Sequence, residues 1–132
     1  MGEQIIPVAL GPRSYDIVLH PGLLSTVGDR LHAITTSPKI AVVTDRHVAN
    51  HYLHKTLRSL RKAGYDATEI ILPPGERTKT LGTVAKVLDA LARHKFERQS
   101  LLLALGGGVI GDVTGFAAAI YQRGIPFVQV PT

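Results

Sequence analysis

The sequence predicts an α/β fold, a Rossmann-like parallel sheet with helices on both faces, preceded by an N-terminal β-hairpin. Three observations carry that expectation. Runs that are apolar on both faces, such as Lys39 to Asp45 (KIAVVTD) and Ser100 to Leu105, alternate with stretches of helical period. The N-terminal residues show a two-residue alternation on either side of Gly11-Pro12-Arg13. The 132 residues, 45% hydrophobic and 19% charged, suffice for one core and crowd two.

The elements follow in order. Gln4 to Leu10 and Tyr15 to His20 are the hairpin strands, with Tyr15, Ile17 and Leu19 alternating. After Pro21-Gly22, Leu23, Leu24, Val27, Leu31 and Ile34 recur at helical spacing. Lys39 to Asp45 is a buried strand. Arg46 to Ala63 is a helix with Val48, Leu53, Leu57 and Leu60 inward and Gly64 as its stop. Ala67 to Leu72 is a strand, broken by Pro73-Pro74-Gly75. A helix from about Thr80 to Lys95 turns Leu81, Val84, Leu88 and Leu91 to one face. Ser100 to Leu105 is a strand, Val109 to Gln122 a helix and Phe127 to Val130 a last strand. Parallel sheets of this kind take their ligands beyond the C-terminal strand ends. Thr44-Asp45, the turn Pro73 to Lys79, Gly106 to Asp112 and Pro131-Thr132 therefore hold the residues of interest.

Composition excludes several classes. No apolar run approaches the ~18 residues of a membrane span, and MGEQIIPVALGPR lacks the pattern of a signal peptide. Without Cys there is no disulfide scaffold or Cys-ligated zinc, which fits a cytoplasmic protein. The net charge of +5 is concentrated in Lys55, Arg58, Arg61 and Lys62 on one helix. The four Tyr and three Phe do not interleave with that stripe, so a solvated helix face is favoured over a nucleic-acid surface.

The string Gly106-Gly107-Gly108-Val109-Ile110-Gly111-Asp112 follows a buried strand and opens a helix. Glycines there let the backbone approach an anion, and unpaired N–H groups point at it, so a pyrophosphate is the natural guest. Gly106, Gly108 and Gly111 satisfy G-x-G-x-x-G, but on the wrong strand for a Rossmann fingerprint. No Lys-Ser/Thr follows, which excludes a P-loop. Tight packing at Gly111 and Gly115 is the competing explanation. Asp45 ends a strand, where it either accepts ribose hydroxyls or caps the next helix. Glu76 and Lys79 form either a surface pair or an acceptor and donor for a polar ligand. Asp112 sits in a first helical turn, stabilised by the helix dipole and facing whatever the glycines bind. His47, His51 and His54 share a helical face, read as hydrated because no carboxylate accompanies them.

Together these residues resemble one family. Leu103 to Thr132, LALGGGVIGDVTGFAAAIYQRGIPFVQVPT, looks like the signature of the 3-dehydroquinate synthases, and Leu72 to Lys79, LPPGERTK, is similar to their P-x-G-E-x-x-K element. Gly115-Phe116 and Tyr121 to Gly124 lean toward these enzymes within the sugar-phosphate cyclases. The resemblance implies that Asp45 binds a ribose of NAD, with Glu76 and Lys79 in the same site. Gly107, Gly108 and Val109 would line the pyrophosphate, Asp112 would reach the nicotinamide side, and Thr132 would touch NAD. Arg123 matches an arginine that holds the substrate phosphate across a dimer interface.

The implied reaction converts 3-deoxy-D-arabino-heptulosonate 7-phosphate to 3-dehydroquinate and phosphate, in the shikimate route to chorismate and the aromatic amino acids. It is a carbon–oxygen lyase reaction in which NAD is oxidant and then reductant, with no net redox change. A zinc or cobalt ion polarises the hydroxyl, and the enzyme is a homodimer. The metal ligands of the family, a Glu and two His, match nothing here. Residues 1–132 are thus expected to be an incomplete NAD-binding domain, truncated before the helical metal-binding domain and inactive alone. Another sugar-phosphate cyclase, a polyol dehydrogenase or a non-catalytic nucleotide-binding module are the alternatives.

Overall fold

The computed structural model describes residues 2–132 and contains two sheets. β1 (Gln4–Val8) and β2 (Tyr15–Leu19) pair antiparallel, from Gln4 opposite Leu19 to Val8 opposite Tyr15. The hairpin is one residue or two shorter at its ends than expected. Its connection closes where the Ser14 hydroxyl donates to the Gly11 carbonyl at 2.7 Å and accepts from the Leu10 N–H at 2.8 Å.

The main sheet has four parallel strands: β3 (Lys39–Asp45), β4 (Asp66–Leu72), β5 (Leu101–Leu105) and β6 (Phe127–Val130). Their spatial order is β4-β3-β5-β6. Helix α1 (Val27–Leu31) precedes β3, and α2, over residues 46–62, joins β3 to β4. Helix α3 (Leu81–Arg93) joins β4 to β5, and α4 (Gly108–Ile120) joins β5 to β6.

The period-two pleat divides the core. Ile40 and Val42 of β3, with Leu101, Leu103 and Leu105 of β5, pack under α1 and α2. Ala41 and Val43, with Leu102 and Ala104, pack under α3 and α4. Strands with two buried faces need apolar side chains at every position, which is why KIAVV and LLLAL do not alternate. Each such buried side chain is worth about 1.5–3 kcal/mol.

Local chemistry sets the helix ends. Helix α2 starts at Asp45, whose Oδ1 accepts the Val48 N–H at 2.9 Å, and stops at Gly64, which takes φ +98°. Its middle, Ala49–Leu53, widens to a π turn. Helix α3 starts at Thr80, whose hydroxyl accepts the Thr83 N–H at 3.1 Å. The α1–α2 crossing is close enough to require Gly28, because a Cβ there would lie 2.2 Å from the Ser59 carbonyl oxygen. The Ser59 hydroxyl instead accepts the Gly28 N–H at 2.9 Å.

Three expectations are corrected. The segment from Leu23 is a 3-10 turn (Leu23–Thr26) followed by only α1, so Ile34 lies in the following turn and is exposed. Leu81, the first residue of α3, is 76% exposed rather than inward. The last helix stops at Ile120, since Gln122 takes φ 46° and ψ 40°. No helix among the described residues is long and apolar enough to cross a membrane.

Candidate functional site

From β3 the chain crosses outward to β4, then returns over β3 to β5 on its other side. Connections therefore leave the adjacent strands β3 and β5 in opposite directions, and a crevice opens at their C-terminal ends. Asp45 ends one of these strands and Gly106 follows the other. The two ends are tied together by Thr44, fully buried, whose hydroxyl donates to the Leu105 carbonyl at 2.7 Å. The sequence places Thr44 among the strand-end residues of interest, and the fold shows what it does there: it ties the ends of β3 and β5 together.

The glycines separate into three kinds. Gly106 is buried at φ +157° and packs on Ile110, the Cβ position being 3.0 Å from its Cγ1. Gly111 and Gly115 let α4 lie on β6, with Cβ positions 3.1 Å from Gln129 Oε1 and 3.0 Å from the Phe127 ring. This is the close packing expected of them. Gly107 and Gly108 are exposed, and a Cβ on either would meet nothing within 4 Å. Gly107 is the N-cap of α4 and offers no side-chain cap, so the first N–H groups of a 13-residue helix have no side-chain partner and the space beside Gly107 and Gly108 is open. An anion is the partner that such a helix start attracts.

The turn after β4 forms the opposite wall. Thr78, buried, donates its hydroxyl to the Pro73 carbonyl at 2.6 Å, and Gly75 supplies φ +100°. That closure presents Glu76 and Lys79 on the surface. Lys79 does not pair with Glu76 as a local surface bridge: its Nζ reaches Asp112 Oδ2 at 2.8 Å, across to the first turns of α4. The hydrogen bond and charge of Asp112, then the charge of Glu76, raise the Lys79 pKa above its ordinary value and keep it a cation.

Beside this bridge lies a cleft of about 290 Å³ walled by Leu81, Val84, Val113 and Phe116. Leu81 is exposed because it forms this wall.

Asp45 is half-buried; its Oδ1 caps α2 and Oδ2 has no partner among the described residues. The cap is therefore real and leaves one carboxylate oxygen for a ligand. Thr132 follows β6 at the same edge of the sheet, where the Gly106 N–H donates to the Val130 carbonyl at 3.2 Å. The structure thus brings Asp45, Glu76, Lys79, Gly107, Gly108, Val109, Asp112 and Thr132 to one end of the sheet.

Arg123 is not there. It follows the far end of α4, about 20 Å from the glycines at 1.5 Å per residue. His47, His51 and His54 are exposed on α2, where His54 Nε2 and Arg58 Nη2 are 2.8 Å apart. Among the described residues no three His, Asp or Glu side chains come together as a metal site.

Fold and site define the class: a doubly wound α/β domain with a glycine-opened helix at its switch point. A family profile described as 3-dehydroquinate synthase N-terminal matches residues 69–132. A 3-dehydroquinate synthase of Bradyrhizobium diazoefficiens is 50% identical over 127 residues, which is 96% of this chain and 33% of that protein. Over nearly its whole length the chain is similar to the N-terminal part of the 3-dehydroquinate synthases, and it spans about a third of the length of the curated relatives it matches.

Solved structures carry the same fold. A 2-epi-5-epi-valiolone synthase from Streptomyces hygroscopicus subsp. jinggangensis 5008, with NAD+ and Zn2+ bound, superposes with a TM-score of 0.77 at 30% identity, over 94% of this chain and 34% of its own. A 2-deoxy-scyllo-inosose synthase complexed with carbaglucose-6-phosphate, NAD+ and Co2+ superposes at 0.85 and 22% identity, over 98% and 35%.

Proposed function

We propose that this chain supplies the NAD-binding part of a 3-dehydroquinate synthase, which converts 3-deoxy-D-arabino-heptulosonate 7-phosphate to 3-dehydroquinate and phosphate. The observation that carries the proposal is the uncapped start of α4 at Gly107 and Gly108, open to a ligand at the same end of the sheet as Asp45 and one turn before the Lys79–Asp112 bridge. Bound NAD would supply a transient oxidation of a ring hydroxyl and the return of the same hydride.

The chain's own residues bind and orient. The N–H groups of Gly107, Gly108 and Val109 take the pyrophosphate, and the Asp45 oxygen not used as a cap accepts a ribose hydroxyl. Glu76 and Lys79 hold the polar rim, and Asp112, oriented by Lys79, faces the nicotinamide side. Thr132 contacts the cofactor from the end of β6. The apolar wall of Leu81, Val84, Val113 and Phe116 excludes water beside it. The described residues do not fit a divalent metal, so its ligands belong to the part of the relatives that this chain does not span.

Arg123 serves the substrate phosphate from a second copy of the chain. The outer row of α4 runs from Asp112 through Phe116 and Ile120, both about half exposed, toward Arg123. A cytoplasmic homodimer, as suits a biosynthetic enzyme, is the assembly proposed.

The test is a full-length enzyme carrying this segment, given the heptulosonate phosphate and NAD. Phosphate is expected to appear without accumulation of NADH. Turnover only of a polyol, with NADH accumulating, would overturn the assignment in favour of a dehydrogenase.

A further inference from the structure

The link between α4 and β6 holds two successive side-chain-bearing residues in the left-handed region. Gln122 and Arg123 take φ 46° and 68°, a left-handed region that side chains other than glycine rarely adopt, and Gly124 follows at 116°. Two such residues in succession persist only where the surroundings over-determine them.

Here one acceptor does most of that. The buried Tyr121 hydroxyl donates to the Phe96 carbonyl at 2.7 Å, and Gln122 Nε2 donates to the same oxygen at 3.3 Å. Phe96 is itself fixed: its ring is 3% exposed, and its N–H donates to the Leu91 carbonyl at 2.9 Å. Lys39 Nζ stands 5.5 Å from the ring centroid. The backbone closes the other side, Gly124 N–H to the Tyr121 carbonyl at 2.8 Å and Ile125 N–H to the Ala118 carbonyl at 2.7 Å. Within this turn only Arg123 has an exposed charged side chain, and it has no hydrogen-bond or ion-pair partner among the described residues.

We infer that Tyr121 and Gln122 are positioning residues. Their shared grip on the Phe96 carbonyl holds the left-handed turn that projects the Arg123 guanidinium outward, already set to receive a phosphate. A planar guanidinium gains most from such fixing, since its bidentate pairing with phosphate depends on orientation. The inference rests on the proposed role of Arg123 in binding the sugar phosphate.

The experiment uses the full-length enzyme, saturated with NAD, and compares Tyr121→Phe, Gln122→Ala and Arg123→Ala, singly and combined. Tyr121→Phe is expected to raise KM for the heptulosonate phosphate about tenfold and Gln122→Ala about threefold, with kcat and NAD affinity unchanged. In the Arg123→Ala background neither should add anything. If Arg123→Ala leaves KM unchanged, the role of Arg123 falls and this inference with it. If Arg123→Ala raises KM while the other two do not, or if they raise it equally in its absence, only the clamp is overturned. Should Tyr121→Phe fail to fold, Gln122→Ala, an exposed position, decides by the same criteria.

Discussion

Replacing Gly108 by Ala separates a glycine needed for a ligand from one needed for the fold. Gly108 is the first residue of α4, its φ is ordinary, and a Cβ meets nothing within 4 Å. The substitution removes unfolded-state freedom and improves helix propensity, so the folded protein should gain up to about 0.5 kcal/mol. The same methyl projects into the hollow over the helix start, where it holds a pyrophosphate away from the N–H groups. NAD affinity should fall at least about tenfold, roughly 1.4 kcal/mol. Gly111→Ala is the control: its Cβ meets only the tip of Gln129, 3.1 Å away, which can swing aside. Denaturant unfolding and NAD calorimetry on the full-length enzyme give both quantities. An unchanged NAD affinity in Gly108→Ala, or equal loss in both variants, would refute the reasoning.

Gly28→Ala should destabilise by about 3 kcal/mol or more, since the methyl would stand 2.2 Å from the Ser59 carbonyl oxygen; denaturant midpoints measure it. Asp45→Ala should cost about 1 kcal/mol of stability by removing the α2 cap and should also weaken NAD binding. Asp45→Asn should keep the cap and lose only the NAD contact, so parallel unfolding and binding curves distinguish the two uses of one carboxylate. The Lys79 pKa is raised, so the stabilisation from its bridge to Asp112 is fully present below the ordinary lysine value and is lost as pH rises through the raised one. The difference in NAD affinity between wild type and Lys79→Met should therefore be constant from about pH 7 to 9 and shrink only in the strongly alkaline range.

The parallel sheet was legible because β3 carries an unbroken apolar run from Ile40 to Val43 and β5 is apolar throughout, the pattern of strands buried on both faces. Their adjacency was not, since nothing local in KIAVVTD or SLLLAL states that β5 inserts beside β3 rather than beyond β4. The switch point, and hence the meeting of Asp45 with the glycine turn, is a property of the strand order. Asp45 was ambiguous in sequence because capping and ligand binding ask for the same residue type; in the fold one oxygen caps and the other is unengaged. In sequence Glu76 and Lys79 read either as a surface pair or as an acceptor and donor for a ligand, and the fold instead pairs Lys79 with Asp112. Leu81 fits a helical period as well as any core residue, yet in the fold it is exposed and lines the cleft beside Asp112. Family resemblance reads Arg123 as a substrate-phosphate residue acting across a dimer interface, apart from the cofactor residues, and the length of α4 sets it at the far end of that helix from the glycines.

The central claim is that the start of α4 is the pyrophosphate seat. Amide hydrogen exchange of the full-length enzyme, with and without NAD, addresses it directly at residues 107–109. Uncapped N–H groups in an open hollow exchange quickly and should slow markedly when NAD is bound, while those of residues 121–124 stay as they were. Unaltered exchange at Gly107, Gly108 and Val109 under saturating NAD would contradict the account.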